Sequence, residues 1–133
     1  MLSRRSAIVL AAGCLLGASQ SAVVARPASF QAIDSDNDGT VDLDEVKRAA
    51  AKKFDQLDRN RSGTVSRREL GRLRLSRKEF AAADPDNGGT LSKDEYLALV
   101  EKRFKAADVG QKGTLTLQQF NSRAGLPLRR LIY

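Results

Sequence analysis

Apolar residues recur along this chain on two scales. On the long scale, Phe30, Phe54, Phe80 and Phe104 stand 24, 26 and 24 residues apart. Eleven residues after each comes a lone aliphatic residue (Val41, Val65, Leu91, Leu115), and five residues later another apolar one (Val46, Leu70, Tyr96, Phe120). Self-similarity at a fixed period of this size marks a repeat architecture. On the short scale, Val46, Ala49, Ala50, Phe54 and Leu57 follow the 3.6-residue period of a helix, as do Tyr96, Leu99, Val100, Phe104 and Ala107. Both stripes predict helices with one buried face. The segment between Leu70 and Phe80 breaks that rhythm: Leu70 and Leu73 fit one short helix, and Ser76-Arg77-Lys78-Glu79 reads as a capping box opening a second. The lone aliphatic positions suit short β-bridges.

Between the apolar landmarks lie polar stretches, and the first is Asp34-Ser35-Asp36-Asn37-Asp38-Gly39-Thr40-Val41-Asp42-Leu43-Asp44-Glu45. Its pattern, D-x-[DN]-x-[DN]-G-x5-E, is that of an EF-hand calcium loop with every ligand position filled. A hard cation of calcium's size takes six to eight oxygens. Asp34, Asp36 and Asp38 at loop positions 1, 3 and 5 offer three, the Thr40 carbonyl a fourth, Asp42 acts directly or through water, and Glu45 closes the shell with two. Gly39 falls where the loop turns sharply and a Cβ is unwelcome.

The motif repeats at 58–69, 84–95 and 108–119. The second loop keeps Asp58, Asn60, Ser62, the Thr64 carbonyl and Glu69, all oxygen donors of which only two are charged. Arg59, Arg61, Arg67 and Arg68 surround it, and their repulsion should weaken a bound divalent cation, less so in salt. The third keeps Asp84, Asp86, the Thr90 carbonyl and Glu95, but Gly88 brings no oxygen at position 5, where water must substitute. The fourth has Gly110 and Lys112 at ligand positions and Gln119 in place of the bidentate Glu, so it reads as a structural partner. Ligand charge ranks the sites as hand 1, then 3, then 2. Only 12 to 14 residues separate one loop from the next, enough for a single helix of three to four turns. The helix leaving one hand must therefore also lead into the next. The expected fold is all-α: a compact four-EF-hand array with short shared helices between loops and small β-bridges joining paired loops.

The amino terminus has a different character. Met1 to Arg5 is a short positive region, Ala7 to Ala18 an apolar run, and small residues follow. This reads as a secretory signal peptide of residues 1–25, cleaved after Val23-Val24-Ala25, and not as a membrane span. Ser3-Arg4-Arg5 hints at twin-arginine export. Ala12-Gly13-Cys14 loosely resembles a lipoprotein site, against which the apolar run continuing through Leu15 and Leu16 argues. Residues 26–133 then form one metal-binding domain, expected to be monomeric and periplasmic or secreted.

Composition narrows the chemistry. The chain has no His and no Trp, and its one cysteine, Cys14, lies in the signal segment. Histidine and cysteine catalysis and His/Cys zinc sites are excluded, and the carboxylates are taken up by the loops, so no enzyme is expected. The net charge of +7 is unusual for a loop-type calcium binder, and loss of Arg4 and Arg5 with the signal leaves +5. The excess gathers around hand 2 as Arg59, Arg61, Arg67, Arg68, Arg72 and Arg74, followed by Arg77 and Lys78. It reads either as a solvated basic surface or as a face for an anionic envelope surface or acidic protein. Nucleic acid is not expected, since export removes the protein from it and no interleaved aromatics form a stacking platform.

From about Phe30 to Tyr133 the chain resembles the lanmodulin family, small periplasmic four-EF-hand proteins that bind lanthanides. The resemblance rests on the close loop spacing, on Asp84-Pro85-Asp86-Asn87-Gly88-Gly89-Thr90-Leu91 with Lys93-Asp94-Glu95-Tyr96-Leu97-Ala98, on Phe104-Lys105-Ala106-Ala107, and on the ending Leu131-Ile132. It implies pairing of hand 1 with 4 and hand 2 with 3, and ordering of the chain by metal. In that family each loop has Pro at position 2 and an acid at position 9; here the Pro survives only as Pro85 and the acid only as Asp42. A trivalent ion rewards added carboxylates. Ser66 and Ser92 at position 9 therefore favour Ca2+ in a buffer or sensor over a dedicated lanthanide protein, which stays as the alternative. A further alternative is a basic interaction module in which metal is only structural.

Overall fold

Four of the helices begin where a short polar side chain and a Glu or Gln three residues on can cap each other. The computed structural model describes residues 27–133; residues 1–25, expected to be a signal peptide, lie outside them. Asp42 with Glu45, Ser76 with Glu79, Ser92 with Glu95 and Thr116 with Gln119 form reciprocal capping boxes at the starts of α2 (Leu43–Leu57), α3 (Arg77–Ala83), α4 (Lys93–Ala107) and α5 (Leu117–Asn121). A four-residue α1 (Ala28–Gln31) precedes them and α6 (Leu126–Arg130) follows. Three-residue strands lie between: β1 (Thr40–Asp42), β2 (Thr64–Ser66), β3 (Thr90–Ser92) and β4 (Thr114–Thr116).

The strands pair antiparallel as β1 with β4 and β2 with β3, in registers that place Val41 opposite Leu115 and Val65 opposite Leu91. All four of these side chains are fully buried, while their strand neighbours stay at least partly open. A three-residue bridge cannot hold by itself; it is anchored because its middle residue enters the core. The resemblance implied this pairing. Helix α2 runs from hand 1 into hand 2 and α4 from hand 3 into hand 4, so the helices are shared as the spacing required.

The two long helices pack together at the centre. Phe54 meets Tyr96 edge to face at 5.6 Å, and Lys47 reaches Glu101 at 2.8 Å along the same seam. All four landmark phenylalanines are buried, as is the set Val46, Leu70, Tyr96 and Phe120. Leu128, Leu131 and Ile132 complete the core from the carboxyl end, where the Tyr96 hydroxyl donates to the Leu131 carbonyl at 2.6 Å. The break between hands 2 and 3 is sharper than the sequence indicated. Leu70 and Leu73 lie on a 3-10 turn (Glu69–Leu73), which ends at Arg74 in a left-handed conformation (φ 52°) before α3 starts. Among the described residues no helix is long and apolar enough to cross a membrane.

Candidate metal centre

Each loop is shaped by its first residue. Asp34, Asp58, Asp84 and Asp108 are all buried, an expensive position for a carboxylate unless it is fully hydrogen-bonded. In every hand its two oxygens accept the backbone N–H groups of positions 5 and 6. Asp34 accepts from Asp38 and Gly39, both at 3.1 Å. Asp58 accepts from Ser62 at 2.9 Å and Gly63 at 2.8 Å. Asp84 accepts from Gly88 at 3.0 Å and Gly89 at 2.9 Å, and Asp108 from Lys112 at 3.1 Å and Gly113 at 2.7 Å. The chain reverses through left-handed residues at position 4 (Asn37, Arg61, Asn87, Gln111) and position 6 (Gly39, Gly63, Gly89, Gly113), with φ between 51° and 93°. Asn and Gly tolerate that region; Arg61 and Gln111 occupy it at a steric cost.

Beyond this shared frame the hands diverge. In hand 1 one oxygen from each of Asp34, Asp36 and Asp38 lies within 4.8 Å of the others. The Asp38 N–H lowers the pKa of Asp36, but burial and the neighbouring carboxylates of Asp38, Asp34 and Glu45 outweigh it and leave Asp36 above the ordinary range. Such crowding of negative charge is what a cation relieves. Thr40 donates its N–H and hydroxyl to Asp38 at 2.7 and 2.8 Å. Glu45 is buried and spans the loop: it accepts the Ser35 N–H at 2.7 Å and hydroxyl at 2.8 Å on one oxygen, and the Asp42 N–H at 3.0 Å on the other. Burial pushes its pKa up, yet those donors prevail and hold it below the ordinary value. Asp42 gives one oxygen to the Glu45 N–H at 2.8 Å, so position 9 serves as the helix cap.

Hand 3 brings Asp84, Asp86 and Glu95 within the same 4.8 Å span. Glu95 accepts the Ser92 N–H at 2.7 Å, and Asp86 the Gly88 N–H at 3.0 Å. The Asp86 carboxyl, with the Gly88, Gly89 and Asn87 N–H groups, holds Asp84 below the ordinary carboxylate range against the opposing effect of burial. Gly88 leaves position 5 bare. In hand 2 Ser62 ties the loop together, with its N–H shared between Asp58 and the Asn60 side chain at 3.1 Å and its hydroxyl donated to the Thr64 carbonyl at 2.9 Å. Glu69 stays with the Ser66 N–H and hydroxyl, at 2.8 and 2.9 Å. Hand 4 has the same backbone course and cap, Gln119 accepting the Thr116 N–H at 3.0 Å, but Asp108 is the one carboxylate at its ligand positions. The donors of hands 1 and 3 therefore fit a hard divalent cation, those of hand 2 fit it with less charge, and those of hand 4 do not.

Paired helix–loop–helix units with acidic loops define a class of loop-type calcium binders. An EF hand family model matches residues 28–50 and 51–73, which hold the first and second loops. No curated protein matches the chain. The two matches and the acidic groupings support an EF-hand superfamily protein with calcium-binding loops.

Sequence reasoning ranked position 1 as a ligand and missed its equal part in shaping the loop. The signal was present in hand 4, where Asp108 persists although its loop has lost the other acids.

Proposed function

We propose that this is an exported EF-hand protein that binds Ca2+ in hands 1 and 3, and more weakly in hand 2, and acts as a metal buffer or sensor that orders on binding. The observation that carries the reading is the pair of carboxylate groupings, Asp34/Asp36/Asp38 and Asp84/Asp86/Glu95, each on a loop bridged to a partner loop. In hand 1 the ligands are Asp34, Asp36, Asp38, the Thr40 carbonyl, Asp42 and Glu45. Hand 3 offers Asp84, Asp86, the Thr90 carbonyl and Glu95, and hand 2 offers Asp58, Asn60, Ser62, the Thr64 carbonyl and Glu69.

Ordering follows from connectivity: hand 1 shares α2 with hand 2 and a β-bridge with hand 4, which shares α4 with hand 3. A cation that fixes one loop therefore restrains all four. Ca2+ is favoured over a lanthanide because three of four loops lack an acid at position 9, and Asp42, the exception, already spends one oxygen on its helix cap. Glu45→Gln and Glu95→Gln should each remove one Ca2+ site while the other remains, and a chelator should lower helix content. Retention of both sites in these variants would overturn the ligand assignment, and circular dichroism unchanged by chelation would overturn the sensing role.

A further inference from the structure

Part of the basic excess around hand 2 gathers, with its side chains exposed, on one hollow. Arg59, Arg68 and Arg72 converge with Lys53 of α2 and Arg130 of α6 on one cavity of about 700 Å3, in which Glu69 is the sole acid. The chain separation between Lys53 and Arg130 shows that tertiary folding, not a local charge run, assembles the cluster. Four cations elsewhere among the described residues pair with acids: Lys47 and Lys105 reach Glu101 at 2.8 and 2.7 Å, Lys93 reaches Asp55 at 2.9 Å, and Arg103 pairs with Glu79. None of the five cavity cations takes part in those pairs. Gathering like charges around one hollow is unfavourable, and an anion placed among them reverses the sign of the interaction.

We propose that this cavity is a binding site for a phosphomonoester. Guanidinium forks match phosphate oxygens two at a time, and four of the five cations are arginines. The volume falls within the roughly 300–1,000 Å3 typical of small-molecule sites and exceeds what a bare phosphate needs. Tyr133, 39% exposed and seated edge-on against Phe120 at 6.1 Å, lines the same cavity and offers a ring surface to an organic substituent. The site is separate from the proposed metal positions except for Glu69, the last ligand position of hand 2.

The test is titration of the full mature chain with phenyl phosphate, metal-free and again with excess Ca2+, beside pelleting with vesicles of phosphatidic acid in phosphatidylcholine. Saturable binding, weakened at least about tenfold in Arg72→Gln/Arg130→Gln and weakened by added salt, is the expected result. Arg77→Gln/Lys78→Gln, which removes the same charge outside the cavity, should bind as the parent does. Binding of phenyl phosphate identifies a free phosphorylated small molecule, whereas binding confined to the phosphatidic acid vesicles, with the same variant dependence, identifies a lipid headgroup. Absence of binding to both, or equal loss in the two double variants, would overturn the site.

Discussion

Asp108→Ala separates the two roles of the first loop position, because hand 4 has lost its ligands and kept its shape. Asp108 is 6% exposed and accepts the N–H groups of Lys112 at 3.1 Å and Gly113 at 2.7 Å. A hydrogen bond to a charged group contributes about 1.5–3 kcal/mol. Lys112 and Gly113 are themselves exposed, so water recovers part of what is lost. A net destabilisation of about 2–3 kcal/mol is expected, which lowers a urea midpoint by about 1–2 M for a slope of roughly 1.5 kcal/mol per M. Asp108→Asn, which keeps one acceptor, should cost about half as much. Gly110→Ala in the same loop is the control: the nearest atoms to its new Cβ belong to the Lys112 side chain, at 3.5 Å and beyond, so stability should stay within about 0.5 kcal/mol. Because β4 pairs with β1, Asp108→Ala should also weaken Ca2+ binding in hand 1. A destabilisation below about 0.5 kcal/mol, with unchanged Ca2+ affinity, would show that Asp108 does not hold the loop in shape.

Gly88→Asp should tighten Ca2+ binding in hand 3 by about tenfold, since affinity in these loops follows ligand charge; the new Cβ would meet Asp86 Oδ1 at 3.1 Å, the mobile end of a side chain. Calorimetry of the variant showing no gain would remove the explanation given for hand 3. Tyr96→Phe leaves the buried Leu131 carbonyl without its donor and should cost about 1–3 kcal/mol in denaturant unfolding. Acid should destabilise the metal-free protein. Lys105 and Lys47 hold the Glu101 pKa down to about 2, so its contribution is complete above the unfolded carboxylate value and is lost as pH falls toward 2. The lowered values of Glu45, Asp58 and Asp84 act in the same direction, while the raised value of Asp36 opposes them. Stability measured against pH should therefore fall below about 4.5, and less steeply in Glu101→Gln.

Most of the frame was legible because EF-hand loops constrain residue type at fixed offsets. The landmark phenylalanines, the position-8 aliphatics and the shared helices all lie where the spacing put them. Ser76 and Glu79 form the expected capping box. The 3-10 geometry after Glu69 was not legible: Glu69-Leu70-Gly71-Arg72-Leu73 contains a glycine but no breaker that distinguishes a tight helix from an ordinary one. The carboxyl-terminal helix was missed for a similar reason, since five residues are too few for periodicity and it is held by contact with α4. The basic cavity was hidden more deeply. Sequence offered an arginine run near hand 2, and only the fold adds Lys53 and Arg130 and leaves Arg61, Arg67 and Arg74 out of its lining.

The decisive measurement is calorimetric titration of metal-stripped residues 26–133 with Ca2+, and separately with La3+, at physiological salt. About two to three Ca2+ per chain at micromolar affinity are expected, with La3+ binding at the same sites with comparable strength. Absence of Ca2+ binding, or La3+ binding tighter by several orders of magnitude, would overturn the assignment of a calcium protein.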